Sequence, residues 1–252
     1  MMTFSQLQMD AWLASALLPF IRILALFSAA PLLSHKGFPA RGRVALAAAM
    51  AFVVAPFAQV PAGLTLASAA GLGLVAQQVA IGLALGFAAR LLFAVFEIAG
   101  EFIGLQMGFS FAGFFDPNGG SESAVGTWLN TLGMLLFIAL DAHLVLIDTL
   151  INTFTTFPIA HDAFASLVGL RLDRLGSDVF RLALSMALPA TMLMLFINLV
   201  LGFSSRVAPQ LSIFSVGFPI TLLAGLLVLA LGTEHLLAPM TEALQVFLAP
   251  LR

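Results

Sequence analysis

The chain has 252 residues, 61% of them hydrophobic and only 9% charged, with a formal net charge of −2 and a mean hydropathy of +1.10. Soluble domains carry about 25% charged residues, so these few charges cannot cover a soluble globule; the composition is that of an integral membrane protein, or of a subunit that hides nearly all its surface against partners. The small negative charge offers no basic field for nucleic acid, and the absence of cysteine excludes disulfides and thiolate chemistry.

In chain order, six long apolar segments are read at about 11–33, 44–60, 65–96, 125–157, 179–203 and 211–232. A shorter apolar piece spans 98–115, and an amphipathic piece runs from about 235 to 249. The stretch from Met1 to Asp10 carries only an acid, and Arg22 interrupts the run that would form the core of a signal peptide. The first segment is therefore expected to stay in the mature protein. Proline and glycine punctuate the joins at Pro31, Pro39, Pro56, Pro61, Pro117 with Gly119-Gly120, Pro158, Pro209 and Pro239.

Five charges fall inside the apolar segments: Arg22, Arg90, Asp141, Asp148 and Arg181. Each costs about 2.5–3.5 kcal/mol at a bilayer centre, so they must face protein or water, lie near an interface, or belong to segments that do not span lipid. The charged loops give no clean orientation: Lys36, Arg41 and Arg43 follow the first segment, while Arg171, Asp173, Arg174 and Asp178 mix signs. The aromatic belt is thin, with Trp12, Trp128 and no tyrosine. These features describe a helix bundle built to pack against other chains. Gly100, Gly104 and Gly108 recur at every fourth position, as do Gly82 and Gly86. Such spacing places glycines on one helix face, for close packing within the chain or against a different subunit.

Asp141, His143 and Asp148 stand in LDAHLVLID. Asp141 and Asp148 share a helix face and His143 points elsewhere; the group reads as a proton relay or as hydrogen-bonded packing. His35 and His161-Asp162 add no spaced metal motif. No nucleophile elbow, phosphate loop or dinucleotide fingerprint occurs. Ser121 and Ser123 have no local base and read as turn formers. Neither an enzyme nor a cofactor is expected.

Two stretches stand out. In NLVLGFSSRVAPQLSIFSVGFP, residues 198–219, Asn198 and Gly202 share a helix face and Arg206 follows one turn later. Pro209 disfavours helix at Ala208, so the last two long segments are expected to form a hairpin with Arg206 and Gln210 at its bend, anchored at an interface. In GFSFAGFFDPNGGSES, residues 108–123, Phe109, Phe111, Phe114 and Phe115 precede a turn cluster at Asp116–Gly120. On composition these rings read as core packing; beside such a reversal, at least some of them read as facing water or a cavity.

The chain resembles the FliR family, the flagellar type III export-gate subunit whose counterpart in virulence secretion is SctT. Asn198, Gly202, Arg206, Pro209-Gln210, Ile213-Phe214 and Gly217-Phe218-Pro219 match its C-terminal signature. Ala99-Gly100-Glu101, Gly104, Gly108 and Asp116-Pro117 match a second signature. Arg22, Pro31, Pro39, Arg41 and Arg43 fit the N-terminal pattern, and His143 matches a histidine usually preceded by Asn-Gly, where Asp141-Ala142 stands here. The resemblance implies an all-α, integral-membrane-type protein, a FliP-like portion over about 1–178 fused to a FliQ-like hairpin over about 179–252. It implies assembly with FliP and FliQ homologues into a closed helical gate in the bacterial inner membrane, at the flagellar basal body, alongside an FlhB homologue. Unfolded export substrates would pass through that gate. Gly100, Gly104 and Gly108 would then pack subunits; Asn198, Arg206, Pro209 and Gln210 would lie at a hairpin tip and interface; Phe111, Phe114 and Phe115 would plug the pore. A secondary transporter using Asp141, His143 and Asp148 is the rival class, and a structural scaffold a third.

Overall fold

The computed structural model describes residues 6–34, 37–58, 68–109, 123–159, 172–207 and 217–248. Among them the chain is all-α, with no strand. In order come α1 (Gln6–Ala29), α2 (Pro31–Ser34), α3 (Ala40–Val54), a 3₁₀ turn (Ala55–Phe57), α4 (Ala69–Met107), α5 (Ala124–Ala139), α6 (Ala142–Thr156), α7 (Leu172–Val207), α8 (Phe218–Gly232), a second 3₁₀ turn (Thr233–Leu236) and α9 (Leu237–Phe247). Three helices are long and apolar enough to cross a membrane, within Trp12–Ala29, Ala69–Met107 and Leu175–Val207. The number rises to five if α5 with α6, and α8 with α9, each count as one broken span.

Two joins differ from the sequence expectation. The segments read at 65–96 and 98–115 are one helix, α4, of 39 residues. At 1.5 Å per residue it is about 58 Å long, nearly twice the roughly 30 Å of a bilayer's hydrocarbon core. Glu97 and Glu101 lie within α4, exposed and half-buried respectively. Ser68 starts α4 by accepting from Gly71 N at 3.1 Å.

Conversely, the segment read at 125–157 breaks between α5 and α6. Asp141 adopts φ 52°, in the left-handed region, and its carbonyl accepts from Leu144 N at 2.9 Å and Val145 N at 3.3 Å to begin α6. Among residues with a Cβ, Asn and Asp tolerate that conformation best.

The chain divides into two compact units. The first comprises Met1–Leu91, Asp141–Leu175 and Gln245–Arg252. Here α1 packs on α3 and crosses α4 at two glycines: a Cβ at Gly82 would overlap Arg22 O and Ala25, and one at Gly86 would overlap Ala29. Leu18, Ile23, Leu26, Leu74, Ile81, Leu85, Leu150 and Phe154 fill this core. Arg22, fully buried, lies within it. Its Nε donates to Gln78 Oε1 at 2.7 Å, its Nη1 to Thr153 O and Oγ1 at 2.8 and 3.2 Å, and its Nη2 to Phe157 O at 2.9 Å. The guanidinium carbon also stands 4.1 Å from the Phe154 ring centroid. Thr153 and Phe157 are at the C-terminal end of α6, where the helix dipole is negative; Thr153 O also accepts from Phe157 N at 2.9 Å, and Phe157 is the residue that caps the helix. That helix end supplies the counter-charge a buried cation needs.

The second unit comprises Leu92–Leu140 and Gly176–Leu244. Its core holds Phe93, Phe96, Ile103, Met107, Val125, Leu129, Phe137, Leu182, Met194 and Met240. Phe93 and Phe137 meet at 5.2 Å between centroids with a 53° tilt. Arg181 is surface-exposed and pairs with Asp178 at 3.7 Å and Glu242 at 3.3 Å.

Candidate functional site

The second unit brings polar groups from four helices to the C-terminal end of α4. A helix leaves its last carbonyls without internal partners. Gly108, at φ 86°, turns the chain out of α4 in the conformation glycine adopts most easily, and its N–H donates to Leu105 O at 3.2 Å. Two more carbonyls are met by other helices. Asn198 of α7 donates through Nδ2 to Gln106 O at 3.1 Å, with Gln106 Oε1 at 3.3 Å. Thr221 of α8 shares its hydroxyl proton between Phe218 O at 3.0 Å and Met107 O at 3.3 Å. Gly225, one turn beyond Thr221, lies against Met107, whose side chain a Cβ there would overlap. The missing side chain is what lets α8 come close enough for Thr221 to reach.

The start of α5 is fixed to the same part of α4. Ser123 is its N-cap and accepts from Gly126 N at 3.3 Å. In a capping box an acid three residues on would accept from the N-cap N–H. That position is Gly126, and the acid comes from α4 instead: Ser123 N donates to Glu101 Oε1 at 3.0 Å. The division follows from the crossing. A Cβ at Gly100 would stand 2.5 Å from Gly126 Cα, and one at Gly104 would stand 2.7 Å from Ser123 Oγ. A Cβ at Gly126 would stand 3.1 Å from Glu101 Oε1 and 3.3 Å from Glu97 O, a tight fit, and the carboxylate is supplied across the contact, at the electropositive start of α5.

The result is a closed base. The chain leaves α4 at Gly108 and returns beside Glu101 and Gly104 at Ser123, and both points are tied to the last two turns of one helix. The groups present are amides, hydroxyls, carbonyls and one carboxylate. Each is engaged in orienting backbone at the end of α4.

Gly100 and Gly104 face α5 of the same chain, and Gly108 is a helix terminus. Asn198 joins the site directly. Arg206 is exposed and makes no ion pair among the described residues. Phe111, Phe114, Phe115, Pro209 and Gln210 lie outside the described residues, as do His35, His161 and Asp162. Asp141 forms the left-handed turn, Asp148 is exposed and accepts from Asn152 Nδ2 at 3.4 Å, and His143 is half-buried. Among the described residues no three His, Asp or Glu side chains are grouped as a metal site.

Sequence reasoning passed over Gln106, Thr221 and the capping role of Ser123. A serine directly before an apolar run is an N-cap signal, but the absence of an acid at Gly126 hid the capping box. It also passed over Gln77-Gln78, a polar pair inside an apolar run and thus a sign of a buried hydrogen-bond network.

The family model described as "Bacterial export proteins, family 1" matches residues 13–246. The chain is 45% identical over 233 residues to the "Flagellar biosynthetic protein FliR" of Pectobacterium carotovorum subsp. carotovorum, covering 92% of this chain and 88% of that one. It is 42% identical to the protein of the same name from Escherichia coli strain K12, over 93% of this chain and 89% of the relative. For the Bacillus subtilis strain 168 protein of that name the identity is 31%, over 84% and 83%.

Proposed function

The chain belongs to the FliR family of bacterial export proteins, and from that membership we propose that it is a membrane-embedded, non-enzymatic subunit of the flagellar protein export apparatus. In this reading it assembles in the inner membrane with FliP and FliQ homologues, next to an FlhB homologue. Residues up to about 178 form a FliP-like portion and those from about 179 a FliQ-like hairpin. Together the subunits form the closed gate through which unfolded substrates leave.

The observation that carries the reading is the closed base at the end of α4. It holds both ends of the segment containing Phe111, Phe114 and Phe115 by hydrogen bonds that Asn198 and Thr221 donate to the last carbonyls of α4 and one that Glu101 accepts from Ser123 N. A phenylalanine plug needs such a rigid mount, because its rings must fill a channel without a core of their own. Apolar rings at a constriction block ions by excluding water.

The test is complementation of a strain lacking this gene, with filament export and recovery of a complex containing FliP and FliQ homologues as readouts. Phe114→Ala with Phe115→Ala should leave the complex intact and render the membrane conductive to small ions. Loss of complex without a leak would return these rings to a packed core. Normal export without the gene would remove the export role itself.

A further inference from the structure

The polar chain that begins at Arg22 in the first unit runs in one direction. A guanidinium has only N–H donors, so Gln78 must present Oε1 to Arg22 Nε, at 2.7 Å. Gln78 Nε2 then faces Gln77 and donates to its Oε1 at 3.1 Å. Gln77 Nε2 is left as the terminal donor. It is buried, on a residue only 2% exposed, and no group among the described residues accepts from it. Turning the Gln77 amide over would set two NH₂ groups against each other, and turning Gln78 over would set an NH₂ against the guanidinium. The terminal donor is therefore a consequence of Arg22, not a choice of amide orientation.

We propose that Gln77 Nε2 donates to an ordered water molecule held inside the first unit, the last member of the chain Arg22–Gln78–Gln77–water. Burial decides against larger acceptors: a residue this enclosed cannot meet a lipid headgroup or a partner's side chain. A halide would need several converging donors to replace its hydration, and only one is offered. The charge of Arg22 is already met by the α6 carbonyls and the Phe154 ring. A water completes an otherwise orphaned amide, as buried waters commonly do. Successive hydrogen bonds polarise one another, so the guanidinium strengthens the terminal N–H as a donor.

The experiment uses the full chain in its membrane assembly, with ¹⁵N-labelled glutamine, in lipid bilayers. Solid-state NMR should show magnetisation transfer from water to the Gln77 side-chain amide, unaltered when chloride is replaced by gluconate or bromide. Gln77→Met assigns the signal by its disappearance. If that variant does not assemble, a high-resolution density map of the unmodified assembly gives the same answer. It should show an isolated peak at hydrogen-bond distance, about 2.7–3.2 Å, from Gln77 Nε2. A shift on halide exchange would make the ligand an anion and overturn the proposal. So would transfer from a protein carbonyl with none from water, or a map with protein density in that position.

Discussion

Helices α4 and α7 are alike in length and apolar character, yet in an 18-residue apolar stretch of each, 61% of the first and only 17% of the second lies buried. Hydropathy does not separate them. Their glycines do. On α4 a Cβ at Gly82, Gly86, Gly100 or Gly104 would run into another helix or its cap, whereas on α7 a Cβ at Gly176 or Gly202 would meet nothing within 4 Å among the described residues. One helix is the inner post of its own fold. The other exposes Phe180, Met192, Phe196, Phe203 and Val207 along its length. In the export reading, other subunits cover those residues.

The comparison breaks most readily at Arg22, which ties α1 to α4 and α6. Arg22→Leu removes the donor to Gln78 Oε1, Thr153 O and Phe157 O and leaves those acceptors buried. Hydrogen bonds to a charged group contribute about 1.5–3 kcal/mol each, so a loss of 3 kcal/mol or more is expected, seen as depletion of the chain from membranes. Arg22→Lys should rescue little, because one ammonium cannot span the three directions of the fork. Wild-type levels of Arg22→Leu would show that α4 is held by apolar packing alone.

Next in size is Gly100. Its Cβ would meet only backbone, at Gly126 Cα, Gly126 N and Val125 O, and backbone cannot rotate aside. Gly100→Ala should cost about 1–3 kcal/mol, read as a lowered thermal midpoint of the purified assembly. Smaller still is the shared cap. Ser123→Ala removes the acceptor for Gly126 N and should cost about 1 kcal/mol. Glu101→Gln keeps an acceptor for Ser123 N but removes the charge, for roughly 0.3–1 kcal/mol. If Glu101→Gln proves the more damaging of the two, the carboxylate has a partner beyond Ser123.

Much of this was legible in the sequence. Apolar run length gave the all-α membrane class, and four-residue glycine spacing marked the face of α4 that others approach. Asn198 was singled out for a hairpin tip and interface; within the chain its amide bonds Gln106 of α4. What could not be read was pairing. Nothing local says that the acid completing the Ser123 cap stands 22 residues earlier, or that Arg22 finds its acceptors at the end of α6. Local signals also misplaced two helix boundaries. The boundary read between 96 and 98 does not exist: α4 runs through Glu97 and Glu101, which are exposed and half-buried. The break at Asp141 was hidden because one residue at positive φ leaves the hydrophobic pattern unchanged.

The smallest expected effect on the chain itself is at Gly202, and it sharpens the comparison most. Among the described residues nothing lies within 4 Å of the place its Cβ would take, and the position is exposed, so Gly202→Leu is expected to start outward from the helix. Replacing a glycine inside a helix by a strong helix former raises helix stability by up to about 1 kcal/mol. The amount of chain in the membrane should therefore be unchanged or slightly higher, in contrast to Gly100→Ala. If another subunit's backbone packs on this face, leucine would hold it away, and recovery of the complex with FliP and FliQ homologues should fall together with filament export. Gly202→Ala should be milder, since a methyl group separates facing backbones less. The two measurements, membrane level and complex yield, thus diverge at Gly202 and fall together at Gly100. Should Gly202→Leu assemble and export like wild type, the uncovered side of α7 would be a lipid face, and its glycine would have no partner to admit.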